Sequence, residues 1–350
     1  MKYLGLDVHL KSTVWCLLDD EGATVAHGKS DTTMVGLRQL LNKLSPHGEL
    51  TAGQEVGSLC YFVSDVFNSC GVNLLTFNAY QLRMIASSRK KTDKRDAYWL
   101  AKALQTGMTP HPVYLPSGEV RELRGLLSQR QALTAERTRW RLRSRRMVQA
   151  AGFKPLTGGS KKVTKSIEDA LTAPETLPSY LADGVQRCLR MEKTVSLELK
   201  QLDQQLQQRV QRSNLLQRLM TIPAVGEQVA LTLYAIVGDI RRFKSARELC
   251  SYAGLVPSIR QSGNTQTLGH ITCEGSPRLR SVLVQAGHCL LWRCKSEESL
   301  PLKALAERVH KNRQRRKIAI VAAGRYILRT AYYVMRDGTT YDPSKLRSAA

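Results

Sequence analysis

The sequence is poor in acidic residues, has no long apolar run and has no closely paired cysteines. Each absence excludes something. Only 29 Asp and Glu residues stand against 53 Lys and Arg, a formal net charge of +24. An excess that large points to a polyanionic partner, because a basic surface gains affinity by releasing counterions from nucleic acid. A membrane is the other polyanion, but "IAIVAAG" and "LLTF" fall far short of the roughly 18 apolar residues that a spanning helix needs. The opening "MKYLGLD" puts an acid where a signal peptide has its apolar core, so a cytoplasmic protein is expected. The 8 cysteines are scattered, Cys289 and Cys294 being the nearest pair, and no Cys-x-x-Cys occurs. That disfavours a structural zinc site and predicts reduced thiols packed in the core.

At 350 residues, with 42% hydrophobic and 23% charged content, the chain reads as two or three globular domains. The first third alternates strand and helix patterns. "YLGLDV" reads as a strand and "STVWCLLDDEGATVAHGK" as two strands joined at Asp-Glu-Gly. "TTMVGLRQLLNKL" reads as a helix, "ELTAGQE" as a short strand, "LCYFVSDVFNSC" as a helix stopped at Gly71, and "VNLLTFN" as a buried strand. Such an order predicts an α/β domain with a sheet of mixed direction over residues 1–118. Residues 119–213 read as a coiled-coil section. Leu126, Leu133, Trp140 and Met147 recur every seven residues among 9 arginines between Arg121 and Arg146. A second helix is expected over residues 191–212, with "PLTGGSKKVTKS" between the two as a basic loop. The helices could equally pack in cis or form a dimer contact. Residues 214–350 read as a mainly helical domain, in which "IPAVGEQVALTL" resembles a helix–hairpin–helix and Gly226 opens a helix N-terminus toward phosphate. "YAGLVPSIRQSGNTQTLGHI" runs Gly-, Ser- and Thr-rich, and its "SGNT" reads as a substrate-facing loop.

The scarce acids include four of chemical interest. Asp7 ends the first strand, where a carboxylate weakens the strand unless it has another role. A sugar kinase of the actin-like fold begins similarly, but "DVHLKST" lacks the glycine of a phosphate turn. A ribonuclease-H-like nuclease instead uses such an aspartate as a metal ligand. Glu55 ends the strand "TAGQE", and adjacent parallel strands would bring both acids to one sheet edge. "KKTDKRDAYWLAKAL" places Asp93 and Asp96 three apart on one helix face, bracketed by Lys90, Lys91, Lys94 and Arg95. Four carboxylates neutralise about two divalent cations and leave positions open for phosphate oxygens and water. The flanking cations would contact the nucleic-acid backbone.

Taken in order, "GLDVHLK", "QEVGSLCY", "KKTDKRDAYWLAKAL", "IPAVGEQVALTL" and "YAGLVPSIRQSG" give the chain a family likeness from Tyr3 to about Asp342. It resembles the insertion-sequence transposases with a RuvC-like Asp-Glu-Asp-Asp domain. These are relatives of the Piv-type DNA invertase, described as bridge-RNA-guided recombinases. Many members read Glu-Ala-Thr-Gly-x-Tyr at the second acid, whereas here Glu55 is followed by "VGSLCY", with Tyr61 six positions on.

The resemblance implies a ribonuclease-H-like domain, a coiled-coil section and a helical transposase domain. Asp7, Glu55, Asp93 and Asp96 match the four acids and would hold Mg2+, with Mn2+ as an alternative. Ser262 matches a serine nucleophile, which implies strand cleavage through a covalent phosphoserine link. Arg260 and Gly263 flank it, Gly263 permitting close approach to phosphate. Arg139, Arg141 and Arg143 are expected to contact nucleic acid. The implied partners are donor and target double-stranded DNA, a structured noncoding guide RNA, and further copies of the chain in a dimer or tetramer. The rivals are a junction endonuclease that uses water and a non-catalytic nucleic-acid-binding protein.

Overall fold

The computed structural model describes the chain except residues 46–47, 86–91, 117, 154–159, 173–176, 263–264, 314 and 345–350. Lys90, Lys91 and Gly263 therefore lie outside the described residues. Two compact units divide the chain, Met1–Pro116 and Ser117–Ala350.

The first unit follows the predicted order. Its elements are β1 (Lys2–Val8), β2 (Ser12–Leu18), β3 (Thr24–Asp31), α1 (Met34–Leu44), β4 (Leu50–Glu55), α2 (Cys60–Ser69), β5 (Leu74–Phe77), α3 (Ala79–Ile85) and α4 (Asp93–Thr106). The strands form one sheet in the order β3-β2-β1-β4-β5. The pairs β1–β2 and β2–β3 are antiparallel, while β1–β4 and β4–β5 are parallel. Alternation along the strands divides the core. Leu4, Leu6 and Leu17 pack with Leu37, Leu40 and Phe67 on the face covered by α1 and α2. Val14, Cys16 and Leu18 pack with Ala97 and Ala101 of α4 on the other face.

Glycine decides how closely α4 can lie on that second face. A Cβ on Gly5 would stand 2.1 Å from the Ala97 carbonyl oxygen and 2.5 Å from the Ala101 nitrogen. Gly5 pairs with Gly53 of β4, where a Cβ would meet Leu104 at 2.9 Å. Without a side chain at Gly5 the helix backbone settles directly on β1, and the bare Gly53 leaves room on β4 for the Leu104 side chain of the same helix.

The second unit begins with α5 (Gly118–Ala150), α6 (Ser160–Thr172) and α7 (Ser179–Arg212). Three ion pairs set the direction of α5 against α7: Glu122 with Arg209, Arg130 with Asp203, and Arg141 with Glu192. One number rises as the other falls, so the long helices run antiparallel and pack in cis. The seven-residue stripe is not what they bury most deeply. Leu123, Leu127, Ser144 and Val148 are the buried positions of α5, while Leu126, Leu133 and Met147 are partly buried beside them. A straight helix of 3.6 residues per turn drifts off a strict heptad, so the buried stripe moves to neighbouring positions. The expected basic loop is helical from Ser160 onward, because Val163, Ile167, Ala170 and Leu171 form an apolar face hidden by the Gly, Ser and Lys around them.

Next come α8 (Asn214–Met220), α9 (Glu227–Val237), α10 (Ala246–Tyr252), β6 (Pro257–Ser262), β7 (Thr265–Ile271), α11 (Pro277–Trp292), α12 (Leu300–Arg313) and α13 (Arg316–Asp337). Gly226 is the N-cap of α9, with no side-chain cap. The Gly-, Ser- and Thr-rich segment forms an antiparallel hairpin of β6 and β7. Its alternating Ile259, Thr265, Thr267 and Ile271 supply strand propensity that the Gly and Ser content obscured. A core of aliphatic residues from α8 to α13 fills this part, with Tyr332 donating its hydroxyl to the Phe243 carbonyl at 3.2 Å.

The 8 cysteines are free. Cys16, Cys60, Cys188 and Cys250 are buried, in keeping with core thiols, whereas Cys70 and Cys273 are exposed. Among the described residues, no helix is long and apolar enough to cross a membrane.

Candidate metal centre and nucleophile

Residues two apart on a strand share a face, so Asp7 follows Gly5 and Glu55 follows Gly53 onto the side that α4 covers. The parallel register runs through Gly5–Gly53 to Leu6–Gln54, which leaves Asp7 and Glu55 side by side at the strand ends. Beneath them, buried Gln54 donates from Nε2 to the Cys60 carbonyl at 2.9 Å and the Thr76 hydroxyl at 3.1 Å. Those bonds tie the end of β4 to α2 and β5.

The close seating of α4 brings its first turn to the same edge. Asp93 and Asp96 both lie in that turn, where the helix macrodipole also favours acids. Asp7, His9 and Asp93 offer ligand atoms all within 4.8 Å of one another. His9 Nε2 stands 3.2 Å from Asp7 Oδ2 and 3.3 Å from Asp93 Oδ2. Burial pushes the Asp7 carboxyl above its ordinary range; His9 opposes that rise, while the charges of Asp93 and Asp96 add to it. Asp96 therefore lies within electrostatic reach of Asp7. Glu55 is exposed at the neighbouring strand end, outside the tight group.

Two or three oxygen donors and one imidazole nitrogen, with accumulated negative charge, fit a divalent cation. Carboxylates suit magnesium, manganese or calcium, and an imidazole shifts preference toward transition metals. His9 was not singled out from the sequence. Its signal was present in "GLDVHLK": it lies two residues beyond Asp7, in the turn where the His9 amide bonds the Ser12 carbonyl at 3.1 Å.

Ser262 is in the second unit, at the end of β6 opposite Thr265, and is exposed. Arg260, two residues earlier, shares its strand face and is also exposed. The three α5 arginines differ in their surroundings. Arg141 holds buried Glu192 at 2.5 Å. Arg139 pairs with Glu136, and Arg143 stacks 4.5 Å above the Trp140 ring. Lys94 and Arg95 lie exposed in the first turn of α4, beside Asp93 and Asp96.

An acid cluster at a sheet edge in a strongly basic chain fits a protein that processes nucleic acid. The sequence comparisons identify its family. Residues 4–152, spanning all four acids, match the DEDD-type transposase family of IS110. Residues 216–301, spanning Ser262, match the transposase IS116/IS110/IS902 family. The chain is 30% identical to a transposase for insertion sequence element IS1111A of Coxiella burnetii, over 89% of this chain and 85% of that protein. It is 26% identical to a putative transposase of Sinorhizobium fredii, over 77% and 70% of the two chains. It is 27% identical to a pilin gene-inverting protein of Moraxella lacunata, over 77% and 73%. This chain belongs to the IS110/IS116 family of transposases, DNA-processing enzymes of transposition and recombination.

Proposed function

We propose that the protein cuts and rejoins DNA through a phosphoserine link, with Asp7, Glu55, Asp93 and Asp96 as a divalent-cation site and Ser262 as nucleophile. The observation that carries this reading is the convergence of Asp7 and Asp93 at the edge of the sheet, with Asp96 in electrostatic reach. The mixed sheet with parallel β1 and β4 and a helix-borne acid pair supports a ribonuclease-H-like, RuvC-like first domain.

Magnesium or manganese bound by the acids would polarise phosphoryl oxygens and stabilise the attacking and leaving oxygens. The protein supplies the rest. The Ser262 Oγ forms a bond to phosphorus as one P–O bond of the strand breaks. The serine proton leaves with a base or water, and the departing oxygen takes up a proton to become a free hydroxyl. Bond energy is thus kept in the seryl phosphodiester, and a DNA hydroxyl can later reverse the step to rejoin strands. Exposure of Ser262 on a hairpin, with Arg260 on the same face, suits attack on a bulky anionic substrate.

The net charge of +24 is what remains after every acid has been counted, and that surplus supports binding of duplex DNA together with a structured guide RNA. Lys94, Arg95, Arg139, Arg143, Arg260 and the uncapped turn at Gly226 are contact candidates, with Lys90, Lys91 and Gly263 beside them in sequence. The acids and the serine lie in separate compact units, which suits a dimer or tetramer pairing one subunit's serine with another's acids. The gene-inverting relative supports strand exchange as the outcome.

The test is a cleavage reaction on labelled DNA. Wild type leaves protein covalently joined to one strand end after denaturation, and Ser262→Ala removes both adduct and recombination. Free ends, with Ser262→Ala cutting as well as wild type, mean that water is the nucleophile.

A further inference from the structure

The hairpin that carries Ser262 also walls a cleft that the proposed chemistry does not use. At its base, Pro257 pairs with Ile271. These residues, with Leu255, face α12 and α13 across a cleft of about 530 Å3, within the usual size of small-ligand sites. The apolar wall is formed by Leu255, Ile271, Ile318 and Val321, with Tyr326 beside it. Three cations of α13, Lys317, Arg325 and Arg329, line the same cleft with His270, and among its described lining residues none is acidic.

Spacing explains why one helix presents both characters. Lys317, Val321, Arg325 and Arg329 recur every four residues and so share one face of α13. A solvated basic face would be convex and lack an apolar floor. Here the cations rim a concavity whose accessible apolar surface comes from half-buried Ile271, Ile318, Val321 and Tyr326, so the fitting ligand is anionic at one end and flat and apolar at the other. An unpaired nucleotide has that form: a base to lie on the apolar wall and Tyr326, and phosphates for Arg325 and Arg329. Paired bases within a stack could not enter.

We propose that this cleft holds one unpaired nucleotide of the DNA strand that Ser262 attacks, and so sets the register of the scissile phosphate. The site deepens the recombinase reading and rests on it for the identity of the strand. Five residues separate Pro257 from Ser262, roughly 17 Å along a strand. That is on the order of five steps of a stacked DNA strand. A base extruded within about five steps of the cut can therefore occupy the cleft while Ser262 faces phosphorus.

The test titrates the full-length protein with a short single-stranded DNA carrying 2-aminopurine, followed by fluorescence. Wild type changes the probe's emission on binding. Arg325→Gln with Arg329→Gln, which leaves the apolar wall intact, should weaken single-strand binding by at least about tenfold, the size of losing a charge-assisted hydrogen bond to phosphate. Val321→Trp, filling the cleft, should do the same, with thermal melting confirming the fold. Single-strand affinity unchanged in the arginine pair, or tighter binding of the same sequence as RNA, would overturn the proposal. Ser262→Ala should bind the probe as wild type does. A cleft that binds in wild type while no covalent adduct ever forms would sink the serine mechanism and leave the cleft standing.

Discussion

The two units handle charge in opposite ways. The first gathers acids at one sheet edge and places them by backbone: Gly5 and Gly53 let α4 down onto β1 and β4, and the acids follow from that seating. The second spreads cations along helices and pairs many of them internally, Arg130 with Asp203 and Arg141 with Glu192. Arg124 meanwhile donates to the Ala235 and Ile236 carbonyls at the end of α9. A carboxylate cluster needs close placement and accepts a stability cost, while a phosphate-binding surface needs only surplus charge in the right region. Substitutions should therefore act sharply in the first unit and gradually in the second.

The largest contrast is expected in cleavage. Asp93→Asn should lower the cleavage rate by roughly a hundredfold to a thousandfold or more, the size of losing a group that stabilises transition-state charge. Nucleic-acid binding by gel shift should persist, and Arg139→Gln with Arg143→Gln should show the reverse pattern. In that double variant the slope of affinity against salt should flatten, since fewer counterions are displaced. An unchanged slope would make these arginines a solvated face.

Gly5→Ala is next. Its new Cβ meets helix backbone, which cannot rotate aside, so α4 must shift. The cost should be about 1–3 kcal/mol, as for overpacking elsewhere, read by thermal melting, together with weakened cation binding. Gly53→Ala should cost less, because the nearest atom is the tip of the Leu104 side chain. Equal effects would deny that helix seating is what places the acids.

Within the second unit, Glu192→Ala should destabilise by at least about 1.5–3 kcal/mol, the range for a hydrogen bond to a charged group, since Glu192 is 9% exposed and holds Arg141. Arg141 is therefore a poor probe of nucleic-acid contact, as its loss would mix packing with binding.

The smallest expected effect concerns Asp7 without metal. Its carboxyl is held above the ordinary range, chiefly by burial, so the ionised form costs the fold stability at neutral pH. Asp7→Asn should melt slightly higher than wild type at pH 7. The gap should close as the pH falls through the raised pKa toward about 4, the ordinary aspartate value, where wild type becomes neutral too. A gap that widened on acidification would contradict the direction of the shift.

Much of the first unit was legible because its signals are local. Period-two strands, the Asp-Glu-Gly turn and the stop at Gly71 each occupy a few residues. The convergence of Asp7 with Asp93 was readable from their positions at a strand end and a helix start. The repeated spacing of Gly5 with Asp7 and Gly53 with Glu55 also stood in the sequence. Its meaning needed the Gly5–Gly53 register, which depends on strand pairing across about fifty residues. His9 went unnoticed because one histidine in a turn has no periodicity to mark it. Ser262 was singled out only by likeness to a family, while its hairpin was hidden by composition: Gly, Ser and Thr read as loop until β6 and β7 pair. In α5 the seven-residue stripe was real in sequence, yet the deepest burial falls at Leu123, Leu127 and Val148, set by the cis partners.

If the acids at the edge of the first unit hold a cation together, Asp7 and Asp93 are both required for it. Calorimetric titration of the metal-free protein with manganese tests it most directly. Wild type should bind saturably, and Asp7→Asn and Asp93→Asn should each abolish binding while melting as folded proteins. Saturable binding of equal affinity in either variant would contradict the account.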